Sequence, residues 1–290
     1  MSAVWEPPKG RLGEIVAYKK ARCAGAEGLR RAGAWPREPG GQPRRKTPGL
    51  ADAIRRVRQT GRVPIIAEVK RRSPSAGPIA PDTDAAARAA AYGRSGVAAV
   101  SVLADEAFFG GSPEDVEAVS RTVGLPVLYK DVVVCPAQVE LARHCGAAAV
   151  LLIAAALAPH DLRMLLDTAY DLGLDAIVEV HDGPELDRVL EMGGVRIIGV
   201  NNRDLQTFEV DMQRALRLLP RIPGEVVAIA ESGYRSAQQM AEAWAAGADA
   251  VLVGEALMRS PDPEALVREA REAYARLGEG LRPRAATRRT

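Results

Sequence analysis

From about residue 62 onward the chain repeats one unit: a short β-branched run, a polar turn, then an alanine-rich stretch of helical character. The apolar runs fall at 64–69, 98–103, 126–129, 148–153, 175–180, 197–200, 226–230 and 250–253. Each is nearly continuous rather than alternating, the pattern of parallel strands covered on both faces. Helical stretches follow the runs, among them 82–93, 136–144, 161–172, 236–246 and 262–277. Several open with Ser, Asp or Pro and close before Gly, which are sensible start and stop signals. Strand–helix units in this number predict an α/β fold, a (β/α)8 or TIM barrel. An open doubly wound sheet can hold as many strands, so the count alone does not decide between them.

A chain of 290 residues, 47% of them hydrophobic, is long enough to bury a full barrel core without disulfide or metal staples. Its net charge of +2 gives no argument for nucleic acid, and the basic run Arg44-Arg45-Lys46 lacks interleaved aromatics. No apolar run is long enough to span a membrane, and Trp5, Glu6 and two prolines occupy the place of a signal peptide's apolar stretch. Cys23, Cys135 and Cys145 have neither framework nor ligand spacing, so they are expected to be incidental, in a cytoplasmic protein. The same holds for a metal site: His144, His160 and His181 show no ligand spacing. His181 is expected to turn away from the Glu179 face into a surface or supporting role.

The first 60 residues break the rhythm and form an N-terminal helical extension, with helices expected at 13–24 and 50–59 and an irregular Pro-, Gly- and Arg-rich segment at 34–49. The catalytic barrel is assigned to 61–278. Residues 279–290 read as a basic, solvated C-terminal tail.

In α/β barrels the C-terminal ends of the strands line the active site. Here those ends carry Glu68 and Lys70, Lys130-Asp131, Glu179, Asn201 with Arg203 beyond it, Glu231-Ser232-Gly233, and Gly254-Glu255. Glu68 and Lys70 are two apart and share a face. Lysines and glutamates converging on one mouth orient one another and shift each other's titration, the usual preparation for proton transfer. The opposite strand ends are expected to lack such charges. The glycines after strands seven and eight leave backbone amides open to an anion at a helix start, a recurrent phosphate site in this architecture.

Together these segments resemble the indole-3-glycerol-phosphate synthase family. The resemblance is carried by IIAEVKRRSPS (65–75), SVLADEAFFGGS (101–112), PVLYKDVVV (126–134), IVEVHD (177–182), IGVNNRDLQTFEVD (198–211), AIAESGY (228–234) and ADAVLVGEALM (248–258), in order over about residues 50–270. It implies a cofactor- and metal-free carboxy-lyase of tryptophan biosynthesis acting on 1-(2-carboxyphenylamino)-1-deoxyribulose 5-phosphate. It also implies possible contact with other enzymes of that pathway, and none with nucleic acid or membrane. By resemblance Lys130 is the general acid, Glu68 orients it, and Glu179 is the base, with Lys70 or Lys130 protonating the departing hydroxyl. Lys70 also holds the anthranilate carboxylate, and Asn201, Arg203 and Glu231 orient hydroxyls and charge. Ser73, Ser232, Gly233, Gly254 and the amide of Glu255 hold the phosphate. Phe109 supplies an aromatic contact.

The chain departs from the family pattern at three single residues, and the residues between the first two expected helices are atypical as well. Val132 replaces a phenylalanine that packs on the substrate ring, Ala76 replaces a loop lysine, and Tyr234 replaces an isoleucine. None of these removes the proposed acid or base. Two rival functions share the same residues: a Schiff-base aldolase or isomerase with Lys130 as nucleophile, and a non-catalytic scaffold relative.

Overall fold

Eight parallel strands close on themselves in chain order, with the first hydrogen-bonded to both the second and the last. They are β1 (Ile65–Val69), β2 (Ala99–Leu103), β3 (Val127–Lys130), β4 (Ala149–Ile153), β5 (Asp175–Val180), β6 (Ile197–Asn201), β7 (Val227–Glu231) and β8 (Ala250–Val253). This computed structural model describes residues 5–31 and 47–278 except Ser75 and Gln206. The basic run at 44–46, most of the 34–49 segment and the 279–290 tail lie outside the described residues. Among those described, no helix is long and apolar enough to cross a membrane.

Closure of the sheet settles the barrel against the open alternative. Almost every strand residue is buried, as continuous apolar runs require when helices cover one face and facing strands the other. Leu128, Leu152 and Ile177 have no exposed surface, and each such side chain contributes about 1.5–3 kcal/mol by leaving water. Three strands run one residue further than the apolar pattern. Lys130, Asn201 and Glu231 are polar, yet the ladder continues through them in the pairs Leu103–Lys130 and Asn201–Glu231.

The outer helices begin where capping chemistry predicts. Asp84 accepts a hydrogen bond from Ala87 N before α3 (Ala85–Arg94), and Ser112 does so from Asp115 N before α5 (Pro113–Thr122). Asp182 opens α8 (Gly183–Met192), and Ser236 forms a full capping box with Gln239 at α10 (Ala237–Ala245).

Two N-terminal helices flank the barrel at opposite ends. Helix α2 (Leu50–Gln59) lies at the strand starts, where Ala51 N donates to Asp175 Oδ2 at 3.0 Å and Arg58 pairs with Asp249. Asp175 opens β5 and Asp249 immediately precedes β8, so the opposite end of the barrel does carry charges, spent on fixing this helix. Helix α1 (Gly10–Arg31) lies across the other end. There Lys19 bridges Asp105, after β2, at 2.7 Å and Asp131, after β3, at 2.6 Å.

Candidate active site

The C-terminal mouth is floored by side chains from alternate strands. Lys130, the last residue of β3, lies with its Nζ 2.7 Å from Glu231 Oε2 of β7 and 3.7 Å from Glu68 Oε2 of β1. Glu68 is shared: its Oε1 is 2.6 Å from Lys70 Nζ. Glu179 of β5 lines the same cavity as the Asn201 side chain of β6. These positions converge because strand side chains alternate, and the register sets Ile153 beside Glu179 and Asn201 beside Glu231. Room for the carboxylates comes from missing side chains. A Cβ at Gly199 would collide with the Glu231 carboxylate, and one at Gly254 would sit 2.5 Å from Glu68 Oε1.

Burial alone would neutralise Lys130. The carboxylates of Glu231, Glu68 and Glu179 outweigh it and raise the lysine's pKa, so the ammonium stays charged. At Glu231 burial wins: helped by the nearby Glu179 and Glu68 and opposed by Lys130, it pushes the carboxyl up to about 7. Glu68 goes the other way, since Lys70 and Lys130 together offset its burial. The arrangement therefore holds a charged acid, Lys130, in the same cavity as an ionised carboxylate, Glu179.

The rim between β7 and β8 has a different character. Ser232 adopts a left-handed backbone with φ 64°, unusual for a residue with a Cβ, and Gly233 follows at φ 86°. Buried Asn202 braces this turn, donating from Nδ2 to Ser232 O and to Tyr234 Oη, both at 3.1 Å. Gly254 caps α11 (Glu255–Arg259), and the Glu255 side chain folds back onto Arg259, 3.1 Å away. Arg203 donates from its guanidinium to Phe208 O at 2.9 Å, and Ser73 Oγ accepts from Ala76 N at 3.1 Å.

One cavity joins the two halves. Glu68, Lys70, Lys130, Glu179, Asn201 and Arg203 line it with Ser73, Phe109, Val132, Ser232, Gly233, Gly254 and Glu255. Of the residues assigned to the site from the sequence, Glu231 alone does not reach the cavity wall; it lies beneath Lys130 with no exposed surface.

The sequence matches the model of the indole-3-glycerol phosphate synthase family over residues 14–270. It is 45% identical over 233 residues to an indole-3-glycerol phosphate synthase from Opitutus terrae, spanning 79% of this chain and 86% of that one. A second, from a Parafrankia species, is 48% identical over 222 residues, spanning 77% and 82%. The chain belongs to the indole-3-glycerol phosphate synthase family. Solved structures resembling it include Mycobacterium tuberculosis tryptophan synthase, with a TM-score of 0.60 at 20% identity over 79% of this chain and 99% of that one. Another is the tryptophan synthase α subunit of Legionella pneumophila, with a TM-score of 0.57 at 14% identity over 79% and 100%. At such identities the likeness shows the barrel fold alone.

In this family member Tyr234 has a local explanation, and nothing in the structure explains Val132 or Ala76. Buried Val132 is held through its backbone, its N donating to Asp131 Oδ1 at 2.7 Å and its O accepting from Gln138 Nε2 at 3.0 Å. Ala76 keeps its loop contact through the backbone alone. Tyr234 uses its hydroxyl to hold Asn202, a contact the usual isoleucine lacks.

Two expectations are corrected. His181 does not turn away from Glu179: residues two apart share a strand face, and His181 Nε2 lies 3.2 Å from Glu179 Oε1. The cysteines are not all incidental, because Cys23 and Cys135 form a disulfide. A separation of 112 residues hides this pairing in the sequence; α1 brings Cys23 across the mouth to the loop after β3. Cys145 lies outside it.

Sequence reasoning also missed Leu12 and Ile15 of α1, which line the cavity from above, and Lys19, which fixes that helix. The sequence predicted a helix at 13–24, beginning just after Leu12. It gave no sign of which surface that helix covers.

Proposed function

We propose that this chain is an indole-3-glycerol-phosphate synthase, a carboxy-lyase that closes the indole ring of 1-(2-carboxyphenylamino)-1-deoxyribulose 5-phosphate. The observation that carries the reading is the Lys130 ammonium, held charged by Glu231 and Glu68 in a cavity it shares with ionised Glu179. The catalytic unit is the barrel, 61–278, with helix α1 of the N-terminal extension across its mouth.

Each residue type answers a step. The ring carbon bearing the carboxylate attacks the sugar ketone, and the carbonyl oxygen gains a proton from Lys130 as the new carbon–carbon bond forms. Carbon dioxide then leaves, its bonding electrons returning to the ring. In the dehydration Glu179 takes a proton, while Lys70 or Lys130 protonates the hydroxyl that departs as water. The whole conversion consumes one proton, because a carboxylate leaves as neutral carbon dioxide. Lys70 faces the anthranilate carboxylate, and Asn201 and Arg203 orient the sugar hydroxyls. Phe109 packs on the aromatic ring beside Val132. The phosphate sits against Ser73, Ser232, Gly233, Gly254 and the Glu255 amide, where glycine backbone and a helix start favour an anion.

A Schiff-base aldolase needs a neutral lysine nucleophile, and the carboxylates around Lys130 favour its charged form. A scaffold role leaves the buried charge network without a purpose. The natural setting of the proposed activity is cytoplasmic amino-acid biosynthesis, where contact with neighbouring tryptophan-pathway enzymes would pass the product on.

The purified protein is tested with 1-(2-carboxyphenylamino)-1-deoxyribulose 5-phosphate, following indole fluorescence and carbon dioxide together. Equal release of both products is expected. Binding of the substrate with neither product overturns the assignment.

A further inference from the structure

His181 takes no part in the steps above, yet it is one of the few buried polar side chains near them. It is 8% exposed, immediately beyond β5 and two residues after Glu179. Each ring nitrogen faces a carboxylate: Nε2 is 3.2 Å from Glu179 Oε1, and Nδ1 is 3.2 Å from Glu185 Oε2. The same Glu185 oxygen accepts the His181 backbone N–H at 2.8 Å. Glu185 is itself fixed in the first turn of α8, its N donating to Asp182 Oδ1 at 2.8 Å.

A neutral imidazole has one N–H and can satisfy only one of two flanking carboxylates. Nδ1 is hydrogen-bonded to Glu185, while Nε2 stands at ion-pair distance from Glu179 without hydrogen-bond alignment, so only a ring carrying both protons, and with them a positive charge, suits both carboxylates. The other charged groups bearing on Glu179 are Lys130 from β3 and Glu231 from β7, with the polar Asn201 side chain of β6 also facing it. Lys130 already serves Glu231 and Glu68, so His181 is the one cation that pairs with Glu179 directly among the described residues.

The geometry points to His181 as a positioning residue: an imidazolium clamped by Glu185 that aims the Glu179 carboxylate into the mouth and balances its buried charge. This rests on the reading of Glu179 as the base. The directions of titration agree. Burial works against both charges, yet Glu179 is drawn down to about 2 by His181, Lys130 and Asn201, and His181 is raised to about 10 by Glu179 and Glu185. An imidazole already doubly protonated cannot receive the proton that Glu179 takes. It keeps the base ionised and oriented, and the proton leaves by another route.

The test pairs His181→Asn with Glu185→Gln, the second leaving the imidazole in place should the first fail to fold. His181→Asn is expected to lower kcat about tenfold or more while KM changes little, and to move the acid limb of the kcat profile to higher pH. Glu185→Gln is expected to move that limb the same way by less. Nitrogen NMR of the unliganded wild type is expected to show both His181 ring nitrogens protonated at mildly alkaline pH. A neutral imidazole there overturns the clamp, as does a loss of kcat that is equal at every pH in both variants. The NMR result does not depend on turnover, so a wild type that makes no indole product refutes the enzyme assignment while the clamp is judged separately.

Discussion

The ammonium of Lys130 lies 2.7 Å from the carboxylate of Glu231, a residue with no exposed surface. The pair faces the cavity from one side only: Lys130 reaches the wall and Glu231 stays behind it. Replacing Glu231 with Gln removes a negative partner from the ammonium and lowers the lysine's pKa. Glu231→Gln is therefore expected to bring the basic limb of the kcat profile down to lower pH. Stability moves in a defined direction as well. A carboxylate raised from 4.5 to about 7 contributes most below 4.5, and its contribution declines as pH rises through about 7. The wild type is expected to lose up to about 1.4 kcal/mol per pH unit across that window relative to Glu231→Gln. Urea unfolding of both proteins at several pH values measures the difference.

Gly254 leaves room for two of the charged groups. A methyl there would stand 2.5 Å from Glu68 Oε1 and 3.1 Å from Lys70 Nζ. Gly254→Ala forces that ion pair to shift while leaving the apolar core untouched. A displacement of about 1 Å at a reacting group costs about 100-fold in rate, and a loss of that order in kcat/KM is expected, with little change in Tm. Steady-state kinetics and a thermal melt on one preparation separate the two effects.

Helix α1 is held over the mouth by two devices, the Lys19 bridge to Asp105 and Asp131 and the Cys23–Cys135 disulfide. Leu12 and Ile15 of the same helix line the cavity, so loosening it reaches the substrate. Cys23→Ser, or reduction of the wild type, is expected to raise KM several-fold and leave kcat nearly unchanged. The closed loop is long, and its loss is expected to lower stability by about 2–4 kcal/mol. Lys19→Met removes the shared cation from two buried carboxylates and is expected to cost about 3–5 kcal/mol, more than the disulfide does. Chemical denaturation in oxidising and reducing buffer, with KM measured in parallel, distinguishes the tethers.

Most of the barrel was legible because its strands are buried on both faces and therefore read as apolar runs. The C-terminal bounds of β3, β6 and β7 were misjudged where a polar residue stands in the last rung: Lys130, Asn201 and Glu231 end the hydrophobic pattern before they end the ladder. The charged residues of the floor were legible because they stand at one end of several strands. What was not legible depends on contacts between distant segments. Cys23 meets Cys135, and Lys19 meets Asp105 and Asp131, only after α1 crosses the mouth. His181 was a failure of another kind, since its spacing from Glu179 already put the two on one face. Asn202 carried a faint signal as the second residue of an Asn pair, but its bonds run to Ser232 and Tyr234 in the next turn.

The central claim is that Lys130 is the acid in closure of the indole ring. The most direct measurement follows indole fluorescence on adding 1-(2-carboxyphenylamino)-1-deoxyribulose 5-phosphate to wild type and to Lys130→Met, with substrate binding titrated in both. The wild type is expected to generate the signal, and the variant to bind substrate while turnover falls by about 100-fold or more. A Lys130→Met protein that turns over at the wild-type rate would contradict the account.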